Sequence, residues 1–385
     1  MKFSVALLLL VGHSHAFLSP NPTFFGVRPY RGLSSTLLED IKVEINEPVT
    51  QSSTSVRAPL KWLGPYPSLG LRFPDLATSS QRERNATGVS LDFVLDTAAN
   101  TNTINAQVST ELGLEVVGQA LSGVGAGGAI PGGNTFMLGG CQLEGLSSDE
   151  EPFTFMTDLT ASTLSVGSPV SAGLLSLAFL QCFPGGVEFV WGRVEDREMK
   201  EIPSVTFHGD DAWSFESLQR SPITRIPITQ LPSITIKVNG VEMPALLDTG
   251  SPITVLNAQA AAAAGITTVD LPSMDELKNP FSKLAASFKV AQAASRGELL
   301  QLADGNGQLV NLVKSLEVAK VEVVGDDDKD AIDFGNSNLY VGDLPGLAAL
   351  SGLGVYSPPA VVLGMDVLRK RSRMWLRAQQ NEVYF

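Results

Sequence analysis

The stretch Ala245-Leu-Leu-Asp-Thr-Gly-Ser-Pro-Ile-Thr-Val-Leu-Asn257 runs through apolar residues into a carboxylate, Asp248, and returns past Thr249-Gly250-Ser251 to β-prone residues. That pattern reads as a strand, a tight acidic loop and a second strand. The same phrase stands upstream as Phe93-Val-Leu-Asp-Thr-Ala-Ala-Asn-Thr-Asn-Thr-Ile-Asn105. The two align without a gap at an offset of 152 positions, the step from Asp96 to Asp248. Thr97 falls on Thr249, Asn105-Ala-Gln107 on Asn257-Ala-Gln259, and Gly113 on Gly265. This is an internal repeat of about one small domain. Two copies of one acidic loop imply two carboxylates that meet across a pseudo-two-fold axis. Carboxylates in contact cannot both ionise, so they share a proton and can activate water.

Composition narrows the chemistry. The 385 residues are 44% apolar, enough for roughly two domains with a sizeable core. A net charge of −13 opposes a nucleic-acid partner. Histidine occurs only at positions 13, 15 and 208 and cysteine only at 141 and 182. A chain so poor in both does not readily build a Ser-His-Asp or Cys-His triad or a histidine-rich zinc site, and carboxylate chemistry remains. No metal or other cofactor is expected. Cys141 and Cys182 form one disulfide or stay free, a choice that spacing does not decide.

The amino terminus reads as a leader. Met1-Lys2 precedes an apolar core from Phe3 to Gly12, long enough for a signal peptide and too short to span a bilayer. The Ala16-Phe17 junction is similar to the cleavage motif of bipartite plastid-targeting leaders in algae with complex plastids. Arg28 and Arg31, with hydroxyl residues and no acid from Asn21 to Ser35, fit the transit portion. Plain secretion is the alternative, and Asn85-Ala-Thr87 would then be a usable glycosylation site. Nothing downstream reaches the roughly 18 apolar residues of a membrane span. The mature chain is therefore expected to be free of the membrane.

The organisation expected is a signal peptide at 1–16, a transit segment and linker at 17–65, a first lobe at 66–192, a linking region at 193–232 and a second lobe at 233–385. In the first lobe the polar residues 79–85 read as a hairpin loop. Ala106 to Leu112 reads as a short helix stopped by Gly113. The glycine-rich stretch 121–134, with Gly125, Gly127 and Gly128, lacks the Lys-Ser/Thr ending of a phosphate loop. It reads as a hairpin returning through Phe136-Met-Leu138, either a flap or a surface loop.

Each repeat closes with an apolar run, a small residue, a helical turn and a final strand, so Ser176 matches Gly364. Asn239-Gly240 marks a hairpin in the second lobe. The second copy is longer, with 116 positions from Asp248 to Gly364 against 80 from Asp96 to Ser176. Leu277, Phe281, Leu284 and Phe288 in the extra length recur at helical spacing and predict a packed helix. Residues 300–310 alternate around Asp304-Gly305 and form the second hairpin, with Gly305 a further flap candidate.

The paired Asp-Thr loops, each followed by an apolar run with a small residue, resemble the aspartic proteases. The short lobes and the Leu363-Gly-Met-Asp-Val-Leu368 ending resemble the retropepsin type, here as two copies fused in one chain. The resemblance implies an all-β fold of two β-barrel lobes with few short helices and an active-site cleft between them. It implies an endopeptidase acting on peptide or protein substrates as a monomer. Asp96 and Asp248 would be the catalytic dyad, and Thr97 and Thr249 would hydrogen-bond across the axis. Gly250 would let the loop turn back beneath its carboxylate. Ser251 would donate a hydrogen bond to a carboxylate. The first copy departs from the pattern at Ala98, Ala99 and Ser176. Those departures favour the alternative function, an impaired protease-like protein that binds peptides without cleaving them.

Overall fold

The computed structural model describes residues 11–12, 55–120, 123–125, 128–130, 132–144, 158–164, 171–195, 198–209, 218–227, 229–269, 283–303, 309–326, 331–344, 347 and 358–385. Its strands fall mainly into two large sheets with one strand plan. In the first, the order is Gln142–Leu143, Tyr66–Phe73, Val89–Leu95, Gly173–Leu175, Thr103–Asn105, Leu159–Leu164, Asn134–Gly139, Val116–Gln119. In the second, it is Ala331–Ser337, Ala319–Val324, Pro232–Val238, Val241–Leu247, Val361–Leu363, Val255–Leu256, Tyr340–Val341, Leu309–Lys314, Leu299–Ala303.

Omitting the extra edge strand Ala331–Ser337, the two orders match strand for strand, and each pair runs in the same sense. The strand before each aspartate lies parallel to the apolar run of its own repeat, Leu95 beside Leu175 and Leu247 beside Leu363. The fold class is thus all-β with two lobes of common plan and few short helices, as the resemblance implies.

Alternation along these strands turns one set of side chains inward. Phe93 and Leu95 in the first lobe and Ala245 and Leu247 at the same offset in the second are fully buried. A third sheet draws on both halves, in the order Arg220–Pro222, Glu382–Tyr384, Arg373–Arg377, Gly186–Val190, Ser204–His208, Ser55–Pro59. The closing strands of the two repeats pair antiparallel at its centre, Phe189 opposite Met374. Strands lie in both connecting spans, the second of which reads in the sequence as partly linker and partly strand. Ser55–Pro59 is an edge strand of this sheet, Lys61–Leu63 pairs with Tyr66–Phe73, and Ser204–His208 is an internal strand.

Local signals behave as chemistry requires. Ala106–Leu112 is helical, capped by the Asn105 side chain and ended by Gly113 at φ 59°. Asn239 and Gly240 both take positive φ between paired strands. The polar cluster after Ala77 departs from the expected loop. Ser79–Glu83 is a short helix with Thr78 and Gln81 forming a capping box.

The inserted helix of the second lobe is present as Lys283–Ser295, but not with the predicted face inward. Leu284 is 83% and Phe288 70% exposed, whereas Ala286 and Ala293, seven residues apart on one face, are buried. Small residues on that face allow close approach, so packing selects the alanines over the larger apolar side chains. Leu277 and Phe281 lie outside the described residues. Both cysteines are free, Cys141 buried and Cys182 exposed.

The Leu299–Ala303 and Leu309–Lys314 strands pair as the second hairpin, and its Gly305 lies outside the described residues. In the first lobe Gly123–Gly125 pairs with Gly128–Ile130, which places Gly125 and Gly128 in a hairpin. Gly127 lies outside the described residues. The returning strand Asn134–Gly139 is held on both sides, by Val116–Gln119 and by Leu159–Leu164.

Candidate active site

Parallel pairing in each lobe ends at an aspartate. The Asp96 amide donates to the Leu175 carbonyl at 2.9 Å and the Asp248 amide to the Leu363 carbonyl at 3.1 Å. Past this point each chain turns, and the amide two residues on closes the turn onto the carboxylate. Ala98 N–H donates to Asp96 Oδ1 at 2.8 Å, and Gly250 N–H to Asp248 Oδ1 at 2.8 Å. The helical turn after each apolar run secures the loop from below. Leu177 N–H donates to the Ala99 carbonyl at 2.9 Å, and Met365 N–H to the Ser251 carbonyl at 2.8 Å.

The two loops are tied to each other by their threonines. Thr97 Oγ1 donates to the Leu247 carbonyl at 2.6 Å and accepts from Thr249 N–H at 3.0 Å. Reciprocally, Thr249 Oγ1 donates to the Leu95 carbonyl at 2.7 Å and accepts from Thr97 N–H at 3.1 Å. All four bonds are buried, so each partner removed would leave an unpaired polar group in the interior. The aspartates cannot drift apart without breaking this lock.

Both carboxylates are at most 1% exposed, and the Oδ2 of each accepts no hydrogen bond from the described residues. Burial disfavours their charged forms. It pushes Asp96 up to about 7, against the pull of the Ala98 and Ala99 amides. Asp248 is raised well above its ordinary value, first by burial and then by the charge of Asp96.

Asp96 reaches across to the other loop. A Cβ at position 250 would lie 2.5 Å from the Asp96 carboxyl carbon. Gly250 is therefore required for space rather than for an unusual backbone angle. Neither it nor Ala98 has positive φ. Ser251 likewise differs from expectation, since its hydroxyl donates to the Ile253 carbonyl at 2.6 Å. The Ser251 amide, which donates to the Asp248 carbonyl at 3.4 Å, pulls the Asp248 pKa down, as the Ala99 amide does for Asp96.

Asn102, Thr254 and Tyr66 escaped the sequence reading, the first two at the small residue that each apolar run carries. A Cβ at Gly364 would lie 2.3 Å from the Ile253 carbonyl oxygen, so that position has no room for a side chain. Its amide donates to Thr254 Oγ1 at 3.0 Å, and Thr254 Oγ1 donates to Asp366 Oδ1 at 2.6 Å. In the first lobe Ser176 sits at the equivalent place, with its amide and hydroxyl both donating to Asn102 Oδ1 at 2.9 and 3.0 Å. Asn102 and Thr254 occupy the same repeat position, 152 apart, but share no residue type, so identity matching passed over them.

Tyr66 was invisible for another reason. Ser68 pairs with Val94, and continuing that register brings Tyr66 level with Asp96. The ring packs against a small buried cluster of Val94, Ala99 and Leu174. Burial and the charges of Asp248 and Asp96 push the phenol up to about 12.

Residues 234–280, which contain the Asp248 loop, match the family model described as aspartyl protease. That segment is similar to the aspartyl proteases. No curated protein matches the chain. Among solved structures it is similar to the aspartic proteinase from Irpex lacteus at 13% identity and TM-score 0.44, over 86% of this chain and 96% of that one. It is also similar to a protein named edgp, at 11% identity and TM-score 0.43, over 86% and 94%. A third likeness is to the Basic 7S globulin from soybean, at 12% identity and TM-score 0.40, over 86% and 96%.

Proposed function

We propose that this chain is an aspartic-type endopeptidase in which Asp96 and Asp248 activate one water molecule. The observation that carries the reading is the reciprocal threonine lock, which ties together the two loops that each carry a buried carboxylate. We take Asp248, which the charge of Asp96 raises in addition to burial, as the holder of the shared proton and Asp96 as the base.

Asp96 takes a proton from water as the oxygen adds to the scissile carbonyl carbon, while Asp248 gives its proton to the carbonyl oxygen. The resulting diol returns a proton to Asp248 as the carbonyl reforms. Asp96 protonates the amide nitrogen, and the C–N bond breaks. Tyr66, beside the Asp96 loop, would flank the substrate backbone. No step calls for a metal or another cofactor.

The competing reading, peptide binding without turnover, drew on Ala98 and Ser176. Both have physical accommodation here: Ala98 keeps ordinary φ, and Asn102 satisfies Ser176. The test is cleavage of an unfolded protein by the purified mature chain. Asp248→Asn is expected to abolish cleavage. Since burial pushes Asp96 up to about 7 and raises Asp248 well above the usual carboxylate range, wild-type kcat/KM should climb as the pH rises from about 4 toward neutrality, as base ionisation requires. A wild-type chain inactive at every pH from acid to neutral would sink the proposal.

A further inference from the structure

The turn joining the helix Met365–Leu368 to the strand Arg373–Arg377 reads Arg369-Lys-Arg-Ser-Arg373. Four cations in five residues are unexpected in a chain of net charge −13. They line a cavity of about 460 Å³ together with Ser372, and Phe385 closes one wall. That volume lies within the range of small-molecule sites.

The cations differ in how they are compensated. Arg373 Nε meets Glu188 Oε1 at 3.1 Å. Lys370 donates to the Asn336 carbonyl and the Ser337 hydroxyl, both neutral. Burial lowers the Lys370 pKa although Asp366 and Asp333 lie near enough to oppose it.

Arg369 and Arg371 have no carboxylate at ion-pair distance among the described residues. The Arg369 guanidinium stands 4.2 Å above the Trp62 ring. Arg371 makes only long contacts, to the Asp333 carbonyl at 3.5 Å and Gln219 Oε1 at 3.4 Å, with its guanidinium 5.9 Å from the Phe334 ring. Aromatic rings orient both groups without neutralising them, which leaves two planar forks of donors beside one cavity. Guanidinium forks match the paired oxygens of a phosphate group.

We propose that this cavity binds a small phosphate-bearing molecule, with Arg369 and Arg371 gripping the phosphate and Ser372 and Lys370 flanking it. The site does not depend on the peptidase reading, and its ligand need not be a substrate.

Titration calorimetry on the full chain, with pyrophosphate as the probe at constant ionic strength, tests it. Saturable one-to-one binding is expected, together with a raised melting temperature and a change in tryptophan fluorescence as Arg369 shifts over Trp62. The double change Arg369→Gln and Arg371→Gln should weaken binding by about tenfold or more. Lys320→Gln, at an exposed lysine paired with Glu322 elsewhere, should leave it unchanged. If the double variant melts early, Arg371→Gln alone decides, because its contacts are the weakest. Three results would overturn the proposal: no saturable heat, equal binding by the arginine variants, or sulfate binding as tightly as pyrophosphate. The last would mark a non-selective anion patch.

Discussion

The Asp96 and Asp248 loops share a backbone plan, their matched supporting hydrogen bonds agreeing to within a few tenths of an ångström, yet they meet each other unequally. Gly250 leaves an open place that the Asp96 carboxylate fills. Its counterpart, Ala98, carries a methyl group that is fully buried. A methyl carbon cannot stand 2.5 Å from a carboxyl carbon, so Asp248 must keep further from Ala98 than Asp96 keeps from Gly250. The pair is thereby asymmetric before any substrate arrives. Asymmetry is useful to a dyad that must divide one proton between two acids, and a fused chain can fix it where two identical subunits could not.

The largest effect should come from imposing the first loop's residue on the second. Gly250→Ala places a methyl group on the Asp96 carboxylate. That carboxylate is the free end of a side chain and can swing aside, so folding should lose only about 1–3 kcal/mol, the usual cost of overpacking. Catalysis requires the carboxylate where it is, and a displacement of about 1 Å is worth about a hundredfold in rate. The reverse change, Ala98→Gly, opens space and should keep activity within a few-fold. Steady-state cleavage rates beside urea unfolding curves would separate the two outcomes. Equal losses in both variants would mean that the loops are not unequal in the way described.

A middle-sized effect tests how the first lobe tolerates Ser176 where the second has Gly364. Asn102 accepts both the amide and the hydroxyl of that serine, which is fully buried. Asn102→Ala would strand both donors and should cost about 1–3 kcal/mol. With Ser176→Gly added, only the amide remains stranded, so the double variant should lose less than the sum of the single changes. Additive losses in denaturant unfolding would show that the two residues do not act together.

The lobes were legible in the sequence because they are written twice. A gapless offset of 152 fixed the strands on either side of each aspartate, and the apolar runs ending at Leu175 and Leu363 fell beside them. Residues whose job depends on three-dimensional neighbours were not legible. Asn102 and Thr254 do one task with different chemistry. The reason for Gly250 lies in the other loop, 154 positions away at Asp96. The inserted helix misled through its large apolar residues, since the spacing of Leu284 and Phe288 is real but its buried face is made of alanine. The basic turn at 369–373 was masked by the acidity of the whole chain, because a net charge averages over positions and a pocket does not.

The smallest effect concerns Ser251, and it discriminates between two ways of holding a carboxylate. A serine in this place invites the idea that its hydroxyl steadies Asp248. Here the hydroxyl is spent on the Ile253 carbonyl, and the amide alone faces the acid. The first lobe does the same work with Ala99, which has no hydroxyl to offer. Ser251→Ala should therefore cost at most about 1 kcal/mol, the worth of one hydrogen bond. It should also leave the acid limb of the pH–rate profile in place. A shift of that limb to higher pH would show that the hydroxyl turns to the carboxylate when substrate binds, and that the serine of the second loop and the alanine of the first are not equivalent after all.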